Sequence, residues 1–186
     1  LQAARAYLRS RGKSLRFIMN GGMYHQDLSP VGLYVEEGQT RFPLNLDRGW
    51  GNFFLQPNGV FFVTDQGKPG ILPSQSYPPL ANIRFATQSG PMLVIGGQIN
   101  RRFRPSSDSR RIRNAVGVSE EGTVWFVLSR EEVSFYELAA FLQSLGAEDA
   151  LYLDGTVSNA YTPEEGYLRP PNYPYGVMFY EISAAQ

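Results

Sequence analysis

Residues 115–154 read AVGVSEEGTVWFVLSREEVSFYELAAFLQSLGAEDALYLD. Two apolar runs, Ala115 to Val118 and Thr123 to Ser129, flank Ser119-Glu120-Glu121-Gly122, the pattern of a β-hairpin. Ser134 followed by Glu137 is a capping box. Beyond it Leu138, Ala139, Leu142 and Leu145 share one helical face, and Gly146 stands where the helix stops. The apolar run Leu151-Tyr152-Leu153 then ends abruptly on Asp154. A helix carrying the chain from the strand ending at Ser129 to the strand at Leu151 is a crossover, expected to be right-handed and to leave those strands parallel. Hairpin signals here and elsewhere in the chain, against this single strand-helix-strand crossover, predict an α+β domain.

The flanking sequence extends this pattern. Ala3 to Arg11 carries good helix formers, with Ala6 and Leu8 as the larger apolar contacts and Gly12 in the capping position. Leu15 to Met19 reads as a short buried strand that runs into Asn20-Gly21-Gly22-Met23-Tyr24. Val31 to Glu36 and Thr40 to Leu44 form a strand and its return, which Pro43 confines to a sheet edge. Phe53 to Leu55 and Val60 to Thr64 flank Asn58-Gly59 as a hairpin. Asp65 to Pro79 reads as a long surface connection. Met92 to Ile95 and Gln98 to Asn100 form a further hairpin through Gly96-Gly97. Tyr161 to Tyr175 is an aromatic, proline-rich loop, and Val177 to Ile182 a last strand. The prediction is an α+β fold: a mixed, largely antiparallel sheet with two principal helices, near Ala3 to Arg11 and Ser134 to Leu145, in a single domain over residues 1–186.

Bulk properties narrow the functional classes. Seventeen basic and seventeen acidic side chains cancel, so no global field recommends nucleic acid or an anionic membrane as partner. No window has the apolar length of a membrane span. Because the chain opens on Leu1 without a signal-peptide pattern, it reads as a mature or trimmed product. The absence of cysteine removes thiolate metal sites and a cysteine nucleophile. A single histidine, His25, removes multi-histidine centres, while an oxygen-ligated divalent cation such as calcium or magnesium stays open.

Candidate groups fall in four loops. After the first strand, Asn20-Gly21-Gly22 is either a cradle of backbone N–H groups for an anion or a plain Asn-Gly turn. Ser89-Gly90-Pro91 lacks the setting of a serine nucleophile. Six arginines between Arg101 and Arg113 make a local cationic patch suited to phosphate or carboxylate. Arg113 is the one beside a strand. Asp154 either faces a ligand at its strand's carboxyl end or accepts N–H groups of its own turn, as Asp before Gly does. Carboxylate, guanidinium and glycine turn together suggest a sugar on phosphate. An anionic phosphate is already a good leaving group, so arginines take over much of the work of a glycosidase's general acid.

Asn20-Gly21-Gly22-Met23-Tyr24, Pro57-Asn58-Gly59-Val60-Phe61, Ser89-Gly90-Pro91-Met92-Leu93-Val94, Arg113-Asn114-Ala115-Val116-Gly117-Val118 and Leu153-Asp154-Gly155 occur in the order seen in the phosphodiester glycosidase family, which the chain resembles from Leu15 to Tyr180. The resemblance implies hydrolysis of a sugar phosphodiester or phosphoglycan, and an extracytoplasmic setting. It implies a cleft in which Asp154, Arg113 and Asn20 do the chemistry and Gly21, Gly22, Met23, Tyr24, Ser89, Gly90, Gly155 and Ser158 bind substrate. The family usually continues Asp-Gly-Gly-Gly-Ser, whereas Asp154-Gly155 is followed here by Thr156-Val157-Ser158. A Cβ at Thr156 narrows the approach to a ligand, and Ser158 stands in for the motif's serine. Met23 and Tyr24 also read as packing residues. Trp50, Tyr161, Tyr167, Tyr173 and Tyr175 are candidates to stack on sugar faces. Two other classes remain: a non-catalytic glycan or phosphoglycan-binding module, which does not need Asp154, and a metal-dependent phosphodiesterase, which leaves the sugar on its phosphate.

Overall fold

A computed structural model describes residues 1–78, 82–155, 157–169 and 173–183. In chain order its elements are α1 (Gln2–Ser10), β1 (Ser14–Asn20), β2 (Tyr34–Glu36), β3 (Gln39–Phe42), β4 (Gly59–Thr64), β5 (Pro69–Pro73), β6 (Ile83–Ser89) and β7 (Met92–Ile95). There follow β8 (Gln98–Ile99), β9 (Asn114–Val118), β10 (Val124–Leu128), α2 (Phe135–Ser144), β11 (Asp149–Asp154), β12 (Ala160–Thr162), β13 (Gly166–Tyr167) and β14 (Met178–Ser183). The strands form three sheets, in the orders β13-β12-β1-β14, β10-β9-β11-β7-β8 and β3-β2-β6-β4-β5. Neighbouring described strands pair antiparallel throughout. This is the two-helix, largely antiparallel α+β domain expected, with its strands divided among three sheets rather than one.

The segment 115–154 folds as it reads. Ser134 Oγ accepts the Glu137 N–H at 3.1 Å while the Glu137 carboxylate accepts the Ser134 N–H at 2.8 Å. Two otherwise orphaned donors of α2 are thereby satisfied. Leu138, Ala139 and Leu142 are buried against Leu93, Val94, Ala115 and Ala150. Strand β9 lies between β10 and β11 and is antiparallel to both, so β10 and β11 run the same way without touching. Ala150 to Leu153 are all buried, the signature of a central strand covered on both faces.

Elsewhere four readings are corrected. Asn58-Gly59 makes no hairpin between Phe53 and Thr64. Asn52–Phe54 is a 3-10 turn, and Asn58 Nδ2 reaches back to the Phe53 carbonyl at 2.9 Å. The true hairpin partner of β4 is β5, inside the segment read as a connection. Its terminal prolines are tolerated because β5 is an edge strand. In α1, Leu8 rather than Ala6 is buried, with Ala4 packed beside that cluster. Finally, the proline-rich loop holds the short strands β12 and β13.

The site is placed by the meeting of sheets. A buried cluster of Met19 from β1, Phe61 from β4, Met92 from β7, Val116 from β9 and Leu151 and Leu153 from β11 draws all three sheets together. It sits directly beneath the points where β1 ends at Asn20 and β11 ends at Asp154.

Candidate active site

Asp154 and Asn20 arrive from different sheets and meet. Asn20 Nδ2 donates to Asp154 Oδ2 at 2.9 Å, and the Gly155 N–H donates to Asp154 Oδ1 at 2.6 Å. Each carboxylate oxygen thus has a fixed donor, which favours the charged form. Burial opposes this and prevails, raising the Asp154 pKa to about 6. Asp154 therefore titrates close to neutrality, which suits a general base, and its ionised form above that pH could also act as a nucleophile. It does cap its own turn, as one reading had it, but with one oxygen only.

Asparagines frame the acid. Asn20 is 0% exposed. Its Oδ1 accepts the Asn159 N–H at 2.7 Å and an Asn114 Nδ2 proton at 3.2 Å. Register pairs Asn114 with Asp154 across β9 and β11. Three tyrosines surround the acid electrostatically: Tyr24, Tyr152 and Tyr175 all feel its charge. Burial, reinforced by that charge, pushes Tyr24 to about 12. It does the same for Tyr152 against the opposing pull of Arg113. Burial also raises Tyr175. The phenols stay protonated wherever Asp154 titrates.

The other expected site residues divide. Tyr24 is partly buried, with its hydroxyl on the Pro174 carbonyl at 3.0 Å. Gly155 is glycine because a Cβ there would lie 2.5 Å from the Tyr152 hydroxyl. Ser158 is buried, its Oγ without a hydrogen-bond partner among the described residues. Ser89 is 0% exposed and donates its hydroxyl to the Leu153 carbonyl at 3.1 Å, so it tethers the strand that carries the acid. Gly90 packs against Asn58 and the Phe53 carbonyl. Met23 packs beside the cluster under α2. Gly21 supplies no N–H to a cradle, because that N–H bonds the Val177 carbonyl. Its Cβ is excluded by the Phe179 ring. Gly22 adopts φ 76° against Thr87. Thr156 lies outside the described residues.

Arg113 is held inward rather than shown at a rim. It is 2% exposed. Its Nε donates to the Val133 carbonyl at 2.8 Å and Nη2 to the Ser109 carbonyl at 3.1 Å. The guanidinium lies 3.9 Å from the Phe135 ring centroid and 5.5 Å from that of Tyr152, and burial lowers its pKa. It addresses the Tyr152 hydroxyl, which Asn52 also meets. Arg110 is at the surface, paired with Glu137 at 2.8 Å, and Arg101, Arg102, Arg104 and Arg111 are exposed. Arg169 was missed by sequence reasoning. Its N–H bonds Asn159 Oδ1 at 3.1 Å, Asn159 Nδ2 returns to its carbonyl at 3.0 Å, and its charge acts on Tyr175 beside the acid. No sequence motif marks Arg169; only the Asn159 clamp brings it in.

His25 is exposed and faces a separate hollow of about 360 Å³ formed with residues 29–32 and 42–47. Of the aromatic candidates, Tyr161 is buried and tilted against Tyr167 at 4.8 Å, whereas Trp50 is 99% and Tyr173 58% exposed. Among the described residues no three His, Cys, Asp or Glu side chains cluster to hold a metal ion. Asn and backbone oxygens would have to complete any cation's shell around Asp154.

The family model for phosphodiester glycosidase matches residues 13–178. The chain belongs to the phosphodiester glycosidase family. Its relative YigE of Escherichia coli (strain K12), described as uncharacterized, is 41% identical over 179 residues, spanning 96% of this chain and 69% of YigE. Among solved structures, it is similar to the catalytic domain of zebrafish N-acetylglucosamine-1-phosphodiester alpha-N-acetylglucosaminidase, auto-inhibited by its pro-peptide. The TM-score is 0.59 at 18% identity, over 82% of this chain and 55% of that one. A hypothetical protein from Synechocystis matches with a TM-score of 0.50 at 18% identity, over 84% of this chain and 49% of that one. The chain thus spans about half of these solved chains, and the likeness is one of fold. None of the described helices is long and apolar enough to cross a membrane.

Proposed function

We propose that this phosphodiester glycosidase domain hydrolyses the bond between a sugar's anomeric carbon and the oxygen of a phosphodiester, releasing free sugar and a phosphomonoester. The observation that carries the reading is Asp154, a partly buried carboxyl at the junction of two sheets with its pKa near 6 and both oxygens aimed by fixed donors. In the ionised form it takes a proton from the attacking water, or attacks the anomeric carbon to form a glycosyl ester that water then hydrolyses to free sugar. The bond to the phosphate oxygen breaks, and the leaving group departs as an anion that needs charge neutralisation more than a proton.

Arg169, whose backbone Asn159 clamps and whose charge acts on Tyr175, is the cation we assign to that anion. Arg113, buried behind Tyr152, supports it from beneath through the tyrosine. The exposed Trp50 and Tyr173 are the stacking surfaces left for a sugar or its acceptor. We propose an extracytoplasmic setting for the activity, which cell fractionation tests.

Product identity decides among the reaction classes. Purified protein given a sugar 1-phosphodiester should release free sugar. Release of sugar 1-phosphate would make it a phosphodiesterase, and saturable binding without any product a phosphoglycan-binding module. Within the proposal, Arg169→Ala should lower turnover at least tenfold while leaving the melting temperature near the parent's. A well-folded Arg169→Ala protein with parental turnover would remove Arg169 from the site.

A further inference from the structure

Asn114 lies outside the groups assigned above to the reaction, yet its surroundings are unusual. It is 0% exposed. Its Nδ2 gives both of its hydrogen bonds to one residue, reaching the Asn20 carbonyl at 2.5 Å and the Asn20 Oδ1 at 3.2 Å. Its own Oδ1 has no hydrogen-bond partner among the described residues. A buried carbonyl left unpaired is costly. An apolar side chain of similar volume would pack there without that cost, so packing alone does not explain an amide at this position.

The geometry around Asn20 does. A carboxamide turned by half a revolution exchanges its donor and acceptor ends with little change of shape. For Asn20 that exchange is blocked, because Oδ1 already accepts from the Asn159 N–H at 2.7 Å and from Asn114. Turned over, its NH2 group would face those two donors, and its oxygen would face Asp154 Oδ2. We propose that Asn114, together with the Asn159 backbone, is a positioning residue that locks the Asn20 carboxamide so that its N–H, never its oxygen, faces Asp154. The lock holds Asp154 in its ionised, usable form over a wider pH range than burial alone would permit, since a donor favours the carboxylate and a facing oxygen disfavours it. The inference rests on the proposed function only for its effect on rate.

The other groups facing Asp154 do not titrate in the same window. Tyr24, Tyr152 and Tyr175 surround it, and all three ionise far above pH 6. Arg113 acts on Tyr152 and Arg169 on Tyr175.

The test follows the Asp154 carboxyl by NMR in protein labelled with 13C at aspartate, titrated without substrate. In Asn114→Leu, which keeps volume and removes the donor, the Asp154 midpoint should rise by about one pH unit or more, while that of the partly buried Asp149 stays in place. Asn114→Ser, whose hydroxyl still donates, should recover part of the shift. In an active enzyme the acid limb of the rate profile should move with the midpoint, at an otherwise unchanged KM. If Asn114→Leu does not fold, the parent still answers: the Asn20 side-chain amide nitrogen should titrate with the same midpoint as Asp154. An unmoved Asp154 midpoint in folded Asn114→Leu, or an Asn20 amide blind to that midpoint, would overturn the lock. The midpoint needs no substrate, so a domain that shows the shift but turns over no phosphodiester would sink the hydrolase reading and leave this one standing.

Discussion

At Asp154 the opposition between burial and hydrogen bonding has a consequence for stability that is separate from catalysis. The folded pKa, about 6, lies above the ordinary carboxyl value of 3.8, so the native state holds this proton more tightly than the unfolded chain. The favourable contribution is complete below about pH 4 and is lost as pH rises through 6. Above that the charge costs stability on the order of 1 to 3 kcal/mol. Asp154→Asn should therefore have a melting temperature that gains on the parent's as pH is raised from 4 to 7. A difference between variant and parent that does not change with pH would contradict the raised pKa. Sequence made Asp154 legible because an apolar run ending on Asp-Gly is a local pattern. Asn114, Asn159 and Arg169 were not legible in that way. Their parts depend on bonds spanning 94, 139 and 10 positions, and no local window records such contacts.

Among the elements, those closed by local chemistry were read correctly: the Ser134 capping box, the hairpin through residues 119–122 and the turn at Gly96-Gly97. The Asn58-Gly59 signal failed because Asn58 instead donates back to the Phe53 carbonyl and Gly59 opens β4, whose hairpin partner is β5. The glycines after β1 teach a related lesson. Glycine there was read as room for a ligand, whereas Gly21 is needed so that β14 can lay Phe179 across the turn. Gly21→Ala should accordingly destabilise the fold by about 1 to 3 kcal/mol through overpacking, visible as a lower denaturant midpoint. Parental stability would mean that Phe179 is free to move aside. The arginine loop behaves likewise. Five of its six guanidiniums are surface groups, and the sixth, Arg113, is fixed by the carbonyls of Val133 and Ser109. Arg113→Lys keeps the charge but cannot make both bonds at the same angle. It should cost about 1 to 3 kcal/mol of stability and reduce turnover by disturbing Tyr152. A variant as stable and as fast as the parent would remove both roles.

On the scale of the whole molecule, three antiparallel sheets share one core cluster, and Asn20 and Asp154 stand where strands from two of them end. That arrangement explains why a neutral chain without cysteine and with one histidine can still build a titrating centre. The fold supplies burial, and neighbouring amides supply direction. Trp50 and Tyr173, the aromatic candidates for stacking on a sugar, are exposed and lie outside that core. The central claim is that Asp154 is the carboxylate on which sugar phosphodiester hydrolysis depends. Its most direct test is the rate of free sugar release from a sugar 1-phosphodiester, measured across pH for the parent and for Asp154→Asn. The parent should lose rate about tenfold per pH unit below a midpoint near 6, and the folded variant should be slower by orders of magnitude at every pH. Parental turnover in folded Asp154→Asn, or a parent whose rate is indifferent to pH between 4 and 7, would contradict it.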